Sequence, residues 1–234
     1  MFFMMVATIN LPCFTRKKRG HNMEITWFGH SCFRIKGKDI VILTDPCSPE
    51  TGYTLVKTQA DMVTISHAHP GHAYLEAVQE GYKVIKGPGE YEIKDTYVTG
   101  IPSYHDAEQG KKNGKNTVYV FEIEGVTLCH LGDLGHPLSP EFTGELGNIN
   151  VLFLPVGGNS TIAVTAATDL VRNLNPGYVV PMHYKTASEK AELDFPEKFL
   201  KELGIKELVP QPKLVVTRTS IPASTQVVLL DYPH

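Results

Sequence analysis

Short apolar runs follow one another along most of this chain, and glycine, proline and charged residues break them at close intervals. Runs of four to eight residues rich in β-branched and aromatic side chains, bounded by turn residues, read as strands. The first three, at 24–28, 32–36 and 40–44, are separated by Gly29 and Gly37 and predict a meander. Strands at 61–66, 83–86, 91–94 and 97–101 follow, with helical spacing over 73–80. Two more, at 117–122 and 126–131, flank Glu124-Gly125, a tight-hairpin signal. The remainder predicts a strand at 151–156, a helix over 163–174 ended by Pro176-Gly177, a strand at 178–181, a helix over 195–203, and strands at 214–216 and 226–230. So many early hairpins fit two facing sheets covered by helices, an α/β (α+β) αββα sandwich, better than a doubly wound sheet.

Composition narrows this picture without redirecting it. A chain of 234 residues, 42% hydrophobic, can bury a sizeable core. The net charge of −3 gives no global reason to expect nucleic acid or a membrane as partner. Cys13, Cys32, Cys47 and Cys129 are scattered, with no Cys-x-x-Cys pair, and read as reduced thiols of a cytoplasmic protein. Residues 1–22 differ in character from the rest. Their apolar stretch is too short to span a bilayer, and the basic run Arg16-Lys17-Lys18-Arg19 follows it rather than precedes it, the reverse of a secretory signal. A disordered leader, or a start site placed too early, is expected for 1–22, with one domain from Met23 to the end.

Chemistry gathers where the strands end. His67, His69 and His72 fall within six positions, after the apolar run that closes at Ile65 and around the turn residues Pro70-Gly71. Neutral imidazoles at that density on a strand-end loop point to a zinc-like ion; three solvated loop histidines are the plain alternative. Asp45, after the run 40–43, could fix the tautomer of a metal-bound histidine or simply form a turn before Pro46. His105, Asp133 and His183 each follow another strand. Each is weak alone, yet together they repeat ligand-type residues at carboxyl ends of strands. His30, after the first strand, could contact substrate or protonate a leaving group, and is otherwise a packed histidine. His130 is expected in the core or as a support behind a ligand, and His136 on a rim or as a substitute ligand. Asn159 could donate a hydrogen bond, although Gly157-Gly158-Asn159 is also turn chemistry. The basic loop Gly110-Lys111-Lys112-Asn113-Gly114-Lys115-Asn116 could steer an anion.

These motifs, in this order, resemble a known family. Gly29-His30-Ser31, Thr44-Asp45-Pro46, the histidine cluster, Gly132-Asp133, Leu154-Pro155-Val156-Gly157-Gly158-Asn159 and Pro181-Met182-His183-Tyr184 are similar to the motifs of metallo-β-lactamase-fold metal-dependent hydrolases. The nearest branch includes the ascorbate-6-phosphate lactonase-like proteins, and the resemblance runs from about Met23 to Asp231. It implies a first metal held by His67, His69 and His105, a second by His72 and His183, and Asp133 between them. Asp45 would support the ligands from beneath, and Asn159 and Tyr184 would stand nearby or touch substrate. One position departs from the family pattern His-x-His-x-Asp-His, because Gly71 stands where the aspartate belongs.

The implied function is hydrolysis of an ester, lactone or phosphoester of a small substrate, anionic ones included, by metal-activated water, with Asp133 and His30 as catalytic groups. Zinc, as one or two ions, is the expected cofactor, with manganese or iron as alternatives; a homo-oligomer is left open. Gly71 also admits a relative that binds metal or a metabolite without turnover. Two-iron redox chemistry would need a further carboxylate ligand and an attached flavin domain, and neither is present in this sequence.

Overall fold

A computed structural model describes residues 22–232, so all of the expected leader except Asn22 lies outside the described residues. Two sheets face each other. The first has six strands in the order β12-β1-β2-β3-β4-β5: β1 Met23–Trp27, β2 Phe33–Lys36, β3 Val41–Thr44, β4 Met62–Ile65, β5 Lys83–Lys86 and β12 Leu214–Val216. The second has seven in the order β13-β11-β10-β9-β8-β7-β6: β6 Gly89–Ile93, β7 Thr96–Tyr104, β8 Lys115–Ile123, β9 Val126–His130, β10 Val151–Pro155, β11 Tyr178–Met182 and β13 Gln226–Val227. Alternation decides which side chains fill the space between them. In β1, Met23, Ile25 and Trp27 are buried while Glu24 and Thr26 are half-buried. Phe33 of the first sheet meets Phe153 of the second with ring centroids 4.4 Å apart.

Strands β4 and β10 are buried along their whole length, which means that both faces of each sheet are covered there. On the second sheet the cover is α2 (Val164–Leu174) and α3 (Pro196–Glu202), whose Ala167, Leu170, Val171, Phe199 and Leu200 join the main core. On the first it is a separate apolar cluster of Leu43, Val63 and Ile65 under Tyr53, Leu55 and Val78.

That cover contains the main departure from the expected elements. The segment 73–80 forms only one 3₁₀ turn, Leu75–Ala77, rather than an α-helix. Its backbone groups are taken by the neighbouring loop instead: Tyr74 N–H donates to the Pro46 carbonyl, Thr58 N–H to Ala77 and Gln79 N–H to Thr58. Strand β7 runs through Pro102 to Tyr104, past the expected end at 101. Pro102 is tolerated because β6 stops at the Gly89–Gly100 pair, so nothing on that side needs its missing N–H. Helix α1 (Pro140–Leu146) was not expected, although Ser139 caps it by accepting the Phe142 N–H at 3.2 Å and Pro140 opens its first turn. The last strand covers 226–227 only. Among the described residues no helix is long and apolar enough to cross a membrane.

Candidate metal centre

Six strands deliver their carboxyl ends to one region. β1 leads to His30, β3 to Asp45, β4 to His67, β7 to His105, β9 to Asp133 and β11 to His183. Within each sheet the three contributing strands run in one direction: β3 pairs parallel with β4, β9 and β11 both pair parallel with β10, and β1 and β7 are each one antiparallel partner removed from β3 and β9. Like ends therefore lie together, and the loops that follow them share one edge of the sandwich.

Asp133 Oδ2 is the hub of this edge. The Nε2 atoms of His105, His72 and His183 stand 3.1, 3.2 and 3.2 Å from it, and that of His67 stands at 3.8 Å. His67 Nε2 also lies 3.1 Å from His69 Nδ1. His67, His72, His105, Asp133 and His183 are buried, whereas His69 is exposed and marks the open side. Asp133 is brought in by Asn116, whose Oδ1 accepts the Asp133 N–H at 3.1 Å while its amide donates to the Leu131 carbonyl and to Ser103. Gly132 makes the approach possible: its φ is +55°, and a Cβ there would fall 2.4 Å from Asn116 Oδ1 and 2.6 Å from Ser66 Cβ.

A layer of acceptors beneath the cluster sets the tautomers. Asp45, fully buried, accepts the Ser66 N–H at 2.8 Å, the Ser66 hydroxyl, and His72 Nδ1–H at 2.9 Å. Ser66 Oγ in turn accepts His67 Nδ1–H at 2.9 Å, and the Ser160 carbonyl accepts His105 Nδ1–H at 3.0 Å. Three imidazoles are thereby left with Nε2 lone pairs turned toward a carboxylate that is itself only an acceptor. Acceptors at such distances repel unless a proton or a cation stands among them. Among the described residues, Asp133 Oδ1 and His183 Nδ1 are buried with no hydrogen-bond partner, which adds to the same demand. Imidazole nitrogen with one carboxylate is a donor set that suits a zinc-like divalent cation.

Electrostatics agree with the geometry. Burial opposes a charge on His72, but Asp133 and Asp45 outweigh it and push its imidazole up to about 10. Burial likewise resists the charge on Asp133, yet His183 and His72 hold its carboxyl well below the usual range. His67 moves the other way, down to about 3, because burial and then His72 disfavour its cation. A neutral imidazole of this kind could serve as a ligand, and a metal would take the place of the proton that otherwise sits by His72.

The remaining expected residues divide. His30 lies against the site, its ring 4.8 Å from that of His72 and 4.3 Å from that of His183. Tyr184 is buried and stacks on Trp27 at 5.1 Å, turned into the core. Asn159 is exposed, and its amide donates to the Glu192 carbonyl, tying two loops together. His130 is fully buried with both ring nitrogens engaged, by the Ser31 carbonyl and the Gly132 N–H. His136 is half-buried and spends its nitrogens on Pro137 O and Tyr104 N–H. Three contributors carried little signal in the sequence. Ser66 and Asn116 act through neighbours, and Glu189, whose Oε2 accepts His30 Nδ1–H at 2.9 Å, is 159 positions away from it.

Facing sheets whose strand ends share a histidine–carboxylate cluster define the metallo-β-lactamase class of fold. Residues 24–183 match the family described as the β-lactamase superfamily domain. A UPF0173 protein of Pyrococcus furiosus is 32% identical over 205 residues, covering 77% of this chain and 90% of its own. A UPF0173 metal-dependent hydrolase of Thermococcus onnurineus is 30% identical over 212 residues, 79% of this chain and 93% of its own. Among solved structures, a candidate Zn-dependent hydrolase of the metallo-β-lactamase superfamily from Thermotoga maritima superposes with a TM-score of 0.72 at 38% identity, over 89% of this chain and 98% of that one. The chain belongs to the metallo-β-lactamase superfamily and, within it, to the UPF0173 family of metal-dependent hydrolases.

Proposed function

We propose that this protein uses one or two zinc-like ions to hydrolyse an ester, lactone or phosphoester bond of a small anionic substrate. The convergence of imidazole Nε2 atoms on Asp133 Oδ2 is the observation that carries this reading. His67, His69 and His105 would hold a first ion, His72 and His183 would take part in a second, and Asp133 touches both groups; manganese or iron would also accept these donors. A bound divalent cation supplies a Lewis acid and brings the pKa of water to near 7. The chain's own residues do the rest. Asp45 and Ser66 keep His67 and His72 in the ligand tautomer, Asp133 is placed to orient the attacking water, and His69 stands at the mouth through which substrate enters. Lys111, exposed on the loop after His105, and Lys115, exposed at the start of β8, favour an anionic substrate. Buried free Cys32, Cys47 and Cys129 support a reducing, cytoplasmic setting.

Gly71 favours a second reading, in which metal or a metabolite is bound without turnover. Metal analysis of protein purified without chelators, followed by lactone, ester and phosphoester panels, separates the two. At least one ion per chain and turnover in one panel is expected. Less than one ion would sink the hydrolase, whereas bound metal with every panel silent would favour the second reading.

A further inference from the structure

The missing aspartate leaves His72 and His183 as a poor pair for a second cation, and the structure shows what occupies the space. A Cβ built on Gly71 would lie 3.0 Å from His30 Nε2 and 3.3 Å from His30 Cδ2. The imidazole of His30, delivered from the end of β1, stands where a side chain at 71 would project. We propose that His30 is the third protein ligand of the second metal, taking the role that an aspartate at position 71 would have; this rests on the metal-dependent reading above.

The geometry around His30 is that of a held ligand. One donor nitrogen each from His30, His72 and His183 all lie within 4.8 Å of one another, and all three residues are buried. Glu189 accepts the His30 Nδ1–H at 2.9 Å, and its side chain is fully buried. Its other oxygen accepts the Ala191 N–H at 2.9 Å, so the carboxylate itself is fixed. A carboxylate behind Nδ1 leaves Nε2 with its lone pair directed at the gap beside Gly71. The backbone of His30 is equally constrained: φ is +51°, a conformation uncommon for a residue with a side chain. Two donors hold its carbonyl, the His183 N–H at 3.0 Å and the Trp27 indole N–H at 3.1 Å. A merely packed histidine needs neither a buried carboxylate behind it nor a ring nitrogen facing two other imidazoles.

Exchanging an aspartate for a histidine keeps the coordination count while removing one negative charge. The second site then consists of three neutral imidazoles and a share of Asp133, a set that favours imidazole-preferring ions over hard, oxygen-preferring ones such as magnesium.

The test is a cobalt(II) titration of chelator-stripped, full-length protein, read by visible d–d absorption and by metal analysis, with circular dichroism as the folding control. Wild type should take two ions. His30→Gln should keep one tight ion and lose the second, and Glu189→Gln should weaken the second alone by about 10–100-fold. Adding Gly71→Asp to His30→Ala should restore two ions, which keeps the test decisive if His30→Gln folds poorly. Two ions bound by His30→Gln as tightly as by wild type would overturn the assignment, as would a double variant no better than His30→Ala. One ion in wild type and in His30→Gln alike would overturn it while leaving the hydrolase reading intact. No ion in wild type would remove that reading itself.

Discussion

The backbone N–H of His183 donates to the carbonyl of His30 at 3.0 Å, and both residues hold φ at +51°. This bond joins the loop after β1 of the first sheet to the end of β11 of the second. It adds to the Thr117 N–H bond to the Ser66 carbonyl and the His130 contact with the Ser31 carbonyl, which also cross between the sheets, and holds them in register where the chemistry is. The Trp27 indole N–H reaches the same carbonyl at 3.1 Å.

Replacing that tryptophan tests the lock. Trp27→Phe keeps an aromatic ring but removes one of the two donors and some buried volume, and should destabilise the fold by about 1–3 kcal/mol. Urea unfolding followed by circular dichroism measures it. An unchanged midpoint would show that the His183 N–H alone suffices.

Asp45 lies beneath the cluster, where it orients His72 directly and His67 through Ser66. Asp45→Asn leaves its partners short of an acceptor, so metal affinity should fall by about 10–100-fold while the circular dichroism spectrum stays as in wild type. Competition against a chromophoric chelator reports the affinity.

Gly132→Ala should cost about 1–2 kcal/mol from left-handed backbone alone. The contacts a Cβ would make with Asn116 and Ser66 add to it, and pressure on Asn116 displaces Asp133. Loss of stability together with loss of metal, measured on the same preparation, is the expected outcome; stability lost with metal retained would show that Asp133 has another support.

The loop after His105 is organised by Asp106, whose carboxylate accepts the N–H groups of Glu108, Gly110, Lys112 and Asn113. Asp106→Ala should open this loop to proteases between 107 and 114 while the thermal midpoint changes little. Hydrogen exchange at those four amides is the direct check, and protection equal to wild type would refute the role.

Acid sensitivity has a source outside the site. Burial raises the Asp61 carboxyl, but the Lys94 ammonium at 2.6 Å and the Val41 N–H at 2.8 Å outweigh it and hold the group below its ordinary value. A depressed folded value means stability that is fully present above about pH 4 and is lost as pH falls through the folded value. Asp61→Asn should flatten that part of the acid limb and leave neutral-pH behaviour of the Lys94 contact weaker. Urea midpoints between pH 3 and 6, compared for the two proteins, decide it.

How much of this was legible beforehand can be judged residue by residue. The strand runs fixed most element positions, because alternation and turn residues are local properties, and the cluster at 67–72 announced metal by density alone. Departures arose where distant chain competed for backbone groups: the 73–80 segment bonded to residues 46–58, and β7 passed Pro102 because its outer neighbour had already ended. Helix α1 was the exception, since its Ser139-Pro140 start was present in the sequence.

The sequence by itself determined the sandwich and the kinds of residue at its strand ends, since period-two patterning and turn chemistry need no knowledge of the rest of the molecule. Only the tertiary structure decided which of ten histidines meet. Parallel strand direction carried His105, Asp133 and His183 to the edge where His67 and His72 already stood. The close approach of two loops put Glu189 behind His30 and His30 beside Gly71. Sequence spacing holds no record of such contacts, because a hydrogen bond across 159 positions is set by how sheets pack and not by the order of residues.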